Sequence, residues 1–404
     1  MHRLSKRIAW LPAAAGLLGA AWGANQFSPL LLVYHQELGL GTGTLEALFG
    51  AYALGLIPGL LIGGPLSDVR GRRSVVVPAA WLSLVASLVL ASAGHTLAVL
   101  FAGRLLAGVG SGAMFSAGTA WLRELSPEGA HAARRTAVAM TAGFALGPLV
   151  AGLLAQWAPD AGMVPYLPHV ALALVVLAML RGAPETAGGP ATTPAAAALP
   201  AHRRARFRRV VAPSAPWVFA APAIAFALLP AVVGANHATD GIALVAAVTA
   251  LTAFSGVLVQ PIGRRLGERA GVTGLLVLAV GLVMAAVTAG SQIVLLLVPC
   301  AIVLGSAYGL CLVAGLIEVQ QMAGGRDLAR LTAVFYAFTY LGFAAPYLLA
   351  LGAHVAGYDV LLAATAALAL ATAALVAPRP GTAPEAGTVP TPGYAGACER
   401  TYSM

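Results

Sequence analysis

The chain has 404 residues, of which 59% are hydrophobic and only 9% charged, with a mean hydropathy of +0.86 and a net charge of +9. A soluble domain carries about 25% charged residues, so this composition excludes a surface solvated on all sides and requires lipid as its main neighbour. The positive charge alone would suit nucleic acid, but its placement along the chain argues against that partner.

A membrane span takes about 20 apolar residues. Twelve are predicted, at 9–34, 45–66, 74–93, 97–122, 136–156, 165–181, 214–235, 241–262, 272–290, 293–317, 331–351 and 359–377. The first follows Arg3, Lys6 and Arg7. It is longer than the apolar core of a signal peptide and more spans follow, so it reads as a retained helix. Glycine and proline inside the spans are compatible with membrane helices.

Placing the N-terminus inside puts every even-numbered loop in the cytoplasm. Those loops hold Arg70, Arg72 and Arg73, then Arg123, Arg134 and Arg135, then the cluster Arg203, Arg204, Arg206, Arg208 and Arg209. Arg264, Arg265 and Arg269 follow span 8, and Arg326 and Arg330 follow span 10. The opposite connections, 35–44, 94–96, 157–164 and 352–358, carry no lysine or arginine. Apart from Arg104, every basic residue falls on one side, which is the positive-inside pattern and puts both termini in the cytoplasm. The single lysine among many arginines, in an Ala-, Gly- and Pro-rich chain, fits a high-GC bacterial genome and hence a bacterial inner membrane.

The longest connection, 182–213, is rich in Ala, Pro and Thr and ends in a basic cluster, which suits a linker held to anionic lipid headgroups better than a nucleic-acid site. It divides the chain into an N-terminal six-helix bundle, 1–181, and a C-terminal one, 214–377, followed by a tail, 378–404, expected to be disordered. Cys300 and Cys311 lie about eleven helical rises apart, roughly 16 Å, too far for a disulfide. With Cys398 they show no metal-ligand spacing.

The halves echo one another. Pro65, Gly71 and Arg73 after span 2 align at one constant offset with Pro261, Gly267 and Arg269 after span 8. Asp68 and Arg72 become Arg264 and Glu268, so the charges are exchanged. Internal repeats of this kind build many secondary transporters, with the binding site between the halves.

Three segments carry a family resemblance. Gly64-Pro65-Leu66-Ser67-Asp68-Val69-Arg70-Gly71-Arg72-Arg73 resembles the loop 2–3 signature of the major facilitator superfamily, departing from it at Val69, where a basic residue is usual. On physical grounds Gly71 permits a tight turn and Asp68 can pair with Arg72 or face a helix N-terminus. Arg104-Leu105-Leu106-Ala107-Gly108-Val109-Gly110-Ser111-Gly112 in span 4 resembles a second motif of that superfamily, with Ala107 in place of Gln. Arg104 lies about 10 Å inside the helix. An intramembrane arginine marks a functional site unless it snorkels to the surface. Gly108 and Gly112 suit close helix packing. Gly143-Phe144-Ala145-Leu146-Gly147-Pro148-Leu149-Val150-Ala151-Gly152 in span 5 is similar to the motif of the family's drug/proton antiporters, with Ala151 replacing one glycine. Small residues there share one helix face, and Pro148 bends the helix.

The resemblance, covering about residues 8–377, implies an all-α membrane protein of two six-helix bundles, the major facilitator fold, alternating access around a central cavity. The loop 2–3 residues Gly64, Asp68, Arg70, Gly71, Arg72 and Arg73 would latch one of its two states. Polar residues placed to line the cavity are Asn25, Gln26, Tyr308, Tyr336, Thr339 and Tyr340, with Arg104 and Glu46 as further cavity or coupling groups. The resemblance implies a proton gradient as energy source, no cofactor, and a monomer embedded in lipid.

No carboxylate stands near a helix centre: Glu46 and Asp240 fall at outer ends and Glu318 at an inner end. A cavity without a deep negative charge disfavours cations, so a neutral or anionic amphipathic solute such as a secondary metabolite is expected. The antiporter-like motif favours export; import or facilitated passage by the same fold is the alternative. An ATP-driven permease lacks support because no P-loop occurs, and a membrane enzyme because no His/Asp/Glu cluster gathers at one face.

Overall fold

The computed structural model describes residues 8–92, 96–126, 129–186, 200–234, 241–322 and 328–377. The middle of the expected linker, 187–199, and the expected tail lie outside the described residues. Every regular element among the described residues is a helix, the outcome that an apolar surrounding imposes, because a helix satisfies its own backbone.

Helix α1 covers residues 11–38 in two pieces, Leu11–Asn25 and Leu30–Leu38. There follow α2 Thr42–Arg70, α3 Arg72–Ala91, α4 Leu97–Glu124, α5 Arg134–Trp157, α6 Val164–Arg181 and α7 Arg203–Val232. The second half continues with α8 Gly241–Leu258 and, after a short helix Gln260–Leu266, α9 Ala270–Ser291. It ends with α10 Val294–Met322, α11 Leu331–Gly352 and α12 Tyr358–Val376.

Ten helical stretches among the described residues are long and apolar enough to cross a membrane. Two expectations account for the difference from the sequence reading. The first predicted span is broken at 26–29, where Pro29 begins a new helix, so neither piece is long enough alone. The eighth and ninth lie within the single stretch Gly241–Ser291.

The repeat seen in the sequence has a backbone counterpart. Gly71 (φ 97°) and Gly267 (φ 56°) both adopt the left-handed half of conformational space, and each lets one helix stop and the next begin at once. The helix crossings repeat as well. Gly108 and Gly112 of α4 press on the backbone of α2, where an added Cβ would overlap the Tyr52 and Leu56 carbonyl oxygens. Gly305 and Gly309 of α10 press on Thr252 and Gly256 of α8 in the same way.

Two ends of the molecule are distinguished by charge: a basic end carrying the arginine-rich loops and an end, neutral in the sense of lacking lysine and arginine, whose connections 35–44 and 157–164 carry Glu37 and Asp160. At the neutral end the two halves close on each other. Gln156 Oε1 of α5 accepts hydrogen bonds from the backbone of Ile242 (3.1 Å) and Ala243 (3.2 Å), capping α8. Gly152 lies against Ala246 and Pro29, and Phe49 of α2 meets Phe343 of α11 and Phe226 of α7.

Candidate functional site

The loop 2–3 segment folds into a charge knot at the basic end. Arg72 starts α3 directly after Gly71, which brings its side chain back across the last turn of α2. The guanidinium, largely buried, donates to Ser67 Oγ (2.7 Å), to Asp68 and, through Nε and a terminal nitrogen, to both oxygens of Glu124 at the end of α4 (nearest 2.7 Å). Asp68 remains over half exposed. Arg70 is exposed, and Gly64 contributes a carbonyl that accepts from Ser67. Glu185, just beyond α6, accepts from the backbone N–H groups of Arg72 (2.7 Å) and Arg73 (3.0 Å), capping the first turn of α3. Arg73 also donates to the Arg181 carbonyl, Thr186 to Glu124, and Trp121 Nε1 to the Pro184 carbonyl. The segment 182–186 is thereby strapped to α3 and α4. Sequence reasoning missed Glu124 and Glu185; the Pro184-Glu185-Thr186 run directly after a predicted span was the available signal.

The second half answers with different chemistry. Glu268 stands where the repeat places Arg72, so that position offers an acid and not a guanidinium to Glu318 at the end of α10. Arg206, in the first turn of α7, supplies one instead, binding Glu318 through two nitrogens (2.9 and 3.2 Å) and Gln321 (3.1 Å). Glu268 and Glu318 line one cleft there with Ser214 and Cys311.

Deeper in, Arg104 is 1% exposed, which rules out a snorkelling side chain in this structure. Its donors go to the carbonyl oxygens of Ala24 (3.2 Å), Leu48 (3.3 Å) and Phe49 (3.1 Å). The Phe27 and Tyr52 rings lie 4.4 and 4.8 Å from its central carbon. It therefore braces α4 against α1 and α2. Beyond it an aromatic stack joins the halves. Phe219 stacks on Tyr340 (4.5 Å), Phe343 (5.2 Å) and Tyr308 (5.7 Å), and Phe343 reaches Phe49 (5.1 Å).

The structure thus brings together Arg104, Tyr308 and Tyr340 near the aromatic seam, and places other candidates elsewhere. Gln26 is fully buried inside the first half and donates to Ser87 (2.9 Å), which in turn meets His169 (2.7 Å). Asn25 ends the first piece of α1 and is partly buried. Thr339, fully buried, donates to the carbonyl of Tyr336, whose ring contacts Phe335. Glu46 is 1% exposed near the start of α2. Gly143 and Gly147 pack on Leu18 and Trp22 of α1, and Pro148 is buried within α5. Among the described residues no group of His, Cys, Asp and Glu gathers to hold a metal.

A helical chain of this kind, with long apolar stretches, a repeat between its halves and charge knots at one end, is a multi-pass membrane protein. The sequence model of the Major Facilitator Superfamily matches residues 13–345, and the chain belongs to that family. It is 30% identical over 125 residues to the glucose transporter GlcP of Staphylococcus epidermidis, covering 31% of this chain and 28% of that protein. It is 29% identical over 136 residues to the quinolone resistance protein NorA of Staphylococcus aureus, covering 33% of this chain and 35% of that one. The matches thus span about a third of each relative. In fold it is similar to a peptide transporter, POT, solved with sulfate, with a TM-score of 0.73 at 15% identity over 92% of this chain and 94% of that one.

Proposed function

We propose that this protein is a twelve-span secondary transporter of the bacterial inner membrane that exports a neutral or anionic amphipathic molecule, drug-like or a secondary metabolite, by proton antiport. In this reading both termini are cytoplasmic, the bundles are 1–181 and 214–377, and the basic cluster ending the linker 182–213 rests on anionic lipid. The observation that carries it is the asymmetry of the seam. The halves are joined at the neutral end by Gln156, Gly152 and the Phe49–Phe343 contact, while the knots of Arg72 and Arg206 at the basic end each tie one end of the linker to the half it adjoins. With the basic end in the cytoplasm, this is the inward-facing member of an alternating pair. Export is supported by the glycine-proline motif of α5 and the likeness to NorA; the likeness to GlcP supports import as the second reading.

The substrate preference rests on the aromatic seam, which offers rings and hydroxyls and no fixed negative charge. Arg104 spends its donors on backbone, so it acts as a brace and not as an anion clamp. Everted membrane vesicles test the reading: an acid-inside gradient is expected to drive uptake of amphipathic neutral or acidic dyes, with proton release on adding substrate. Uptake confined to right-side-out vesicles would make the protein an importer.

A further inference from the structure

We infer that Glu46 is a proton-binding site whose protonation lets the neutral-end seam close; the inference rests on the transporter reading above and names its outer proton site. Glu46 is 1% exposed, and its Oε2 has no hydrogen-bond partner. It sits on α2 one turn from Thr42 and lines a small cleft with Leu31 and His35 of α1 and Ala227 and Ala231 of α7. The cleft therefore crosses the junction between the halves.

The groups facing Glu46 leave it uncompensated. His35 lines the same cleft, with its Nδ1 engaged on the Leu40 carbonyl (2.8 Å). Tyr358, at the start of α12, stands close to the carboxyl. The wall from α7, 224–233, carries no titratable side chain, and the facing part of α11, 345–352, carries only Tyr347. No lysine or arginine occurs in 27–49, 224–233, 345–352 or 358–361.

An ionised carboxylate loses its water on entering such a site and gains no cation in return, whereas the neutral acid fits an apolar wall at small cost. The closed seam thus holds Glu46 as COOH. Opening the seam exposes it to the solution on the arginine-free side, where COO⁻ and hydronium exchange with COOH and water. One proton is taken from that solution each time an open, ionised molecule closes. The sign follows: acid on that side favours the closed seam, and alkali favours the open one.

The test uses a variant lacking Cys300, Cys311 and Cys398, with Ala231→Cys in the cleft, labelled in intact cells by a membrane-impermeant maleimide. Labelling is normalised at each pH to Val355→Cys, an exposed site on the same face, which removes the intrinsic pH dependence of the thiol. Normalised labelling is expected to rise roughly tenfold between about pH 5 and pH 9, as a shift driven by one titration allows. With Glu46→Gln added it should stay low and flat, and with His35→Asn the rise should persist. A flat profile in the parent, or an unchanged rise in a monodisperse Glu46→Gln protein, overturns the proposal. The expected labelling profile together with vesicles that show no proton-coupled movement would sink the antiport reading while leaving Glu46 as the proton site of the seam.

Discussion

Replacing Arg104 separates a brace from a substrate contact. Its three bonds to carbonyl oxygens lie between 3.1 and 3.3 Å, at the long end of the normal range. A hydrogen bond to a charged group contributes about 1.5–3 kcal/mol, so about 1 kcal/mol each is reasonable at this length. The contacts with Phe27 and Tyr52 add about 1–2 kcal/mol. Opposing this gross gain of about 5 kcal/mol is a desolvation cost of several kcal/mol for the buried cation. Arg104→Met keeps the apolar contacts and removes the desolvation cost, so a net loss of about 1–2 kcal/mol is expected. Arg104→Lys keeps a more strongly hydrated charge but loses the planar fork that reaches two helices at once, for a loss of about 3–4 kcal/mol. The predicted order of apparent melting temperature in detergent is wild type, then Met, then Lys. A lysine variant as stable as wild type refutes the reasoning. Transport with Lys well above Met, at equal protein level, would return Arg104 to the substrate site.

The Asp68→Asn change should slow transport with little effect on protein amount, because the side chain is 58% exposed and such pairs contribute less than about 1 kcal/mol; unchanged turnover would reduce the loop to a turn. Gly108→Val drives a Cβ carrying two methyl groups into the α2 backbone at Tyr52, and an overpacking cost of about 3 kcal/mol or more should abolish monodisperse expression. Arg206→Gln and Glu318→Gln should each lower the apparent melting temperature slightly, and the double change should cost no more than the larger single one, since both remove one pair. Additive losses would show that the pair does not act as a unit.

Hydropathy alone located the helical stretches because a membrane span is written in consecutive apolar residues, and the turn glycines Gly71 and Gly267 were readable because only their offset and neighbours were needed. Pro29 signalled the break in α1, yet a continuous apolar run from 9 to 34 outweighed it. Partners far apart in sequence were not readable. Arg72 finds Glu124 across 52 residues, and nothing local to either one specifies the other. The exchange of Arg72 for Glu268 was visible, but not that Arg206 would fill the vacancy from the linker. The depth of Arg104 was legible from its distance to the helix end, whereas its role depended on which backbone oxygens lay opposite. Glu46 looked like a terminal acid, because burial at a seam between halves has no signature within one helix.

Alternation between two closed ends is the central claim, and paired distance measurements test it most directly. Spin labels at Trp157 and Val355 report on the neutral end, and labels at Val69 and Ile262 on the basic end; all four positions are exposed. Across changes of pH and added substrate, double electron–electron resonance should show the neutral-end distance lengthening as the basic-end distance shortens. Distances that change in the same direction at both ends, or at neither, would contradict a rocking transporter.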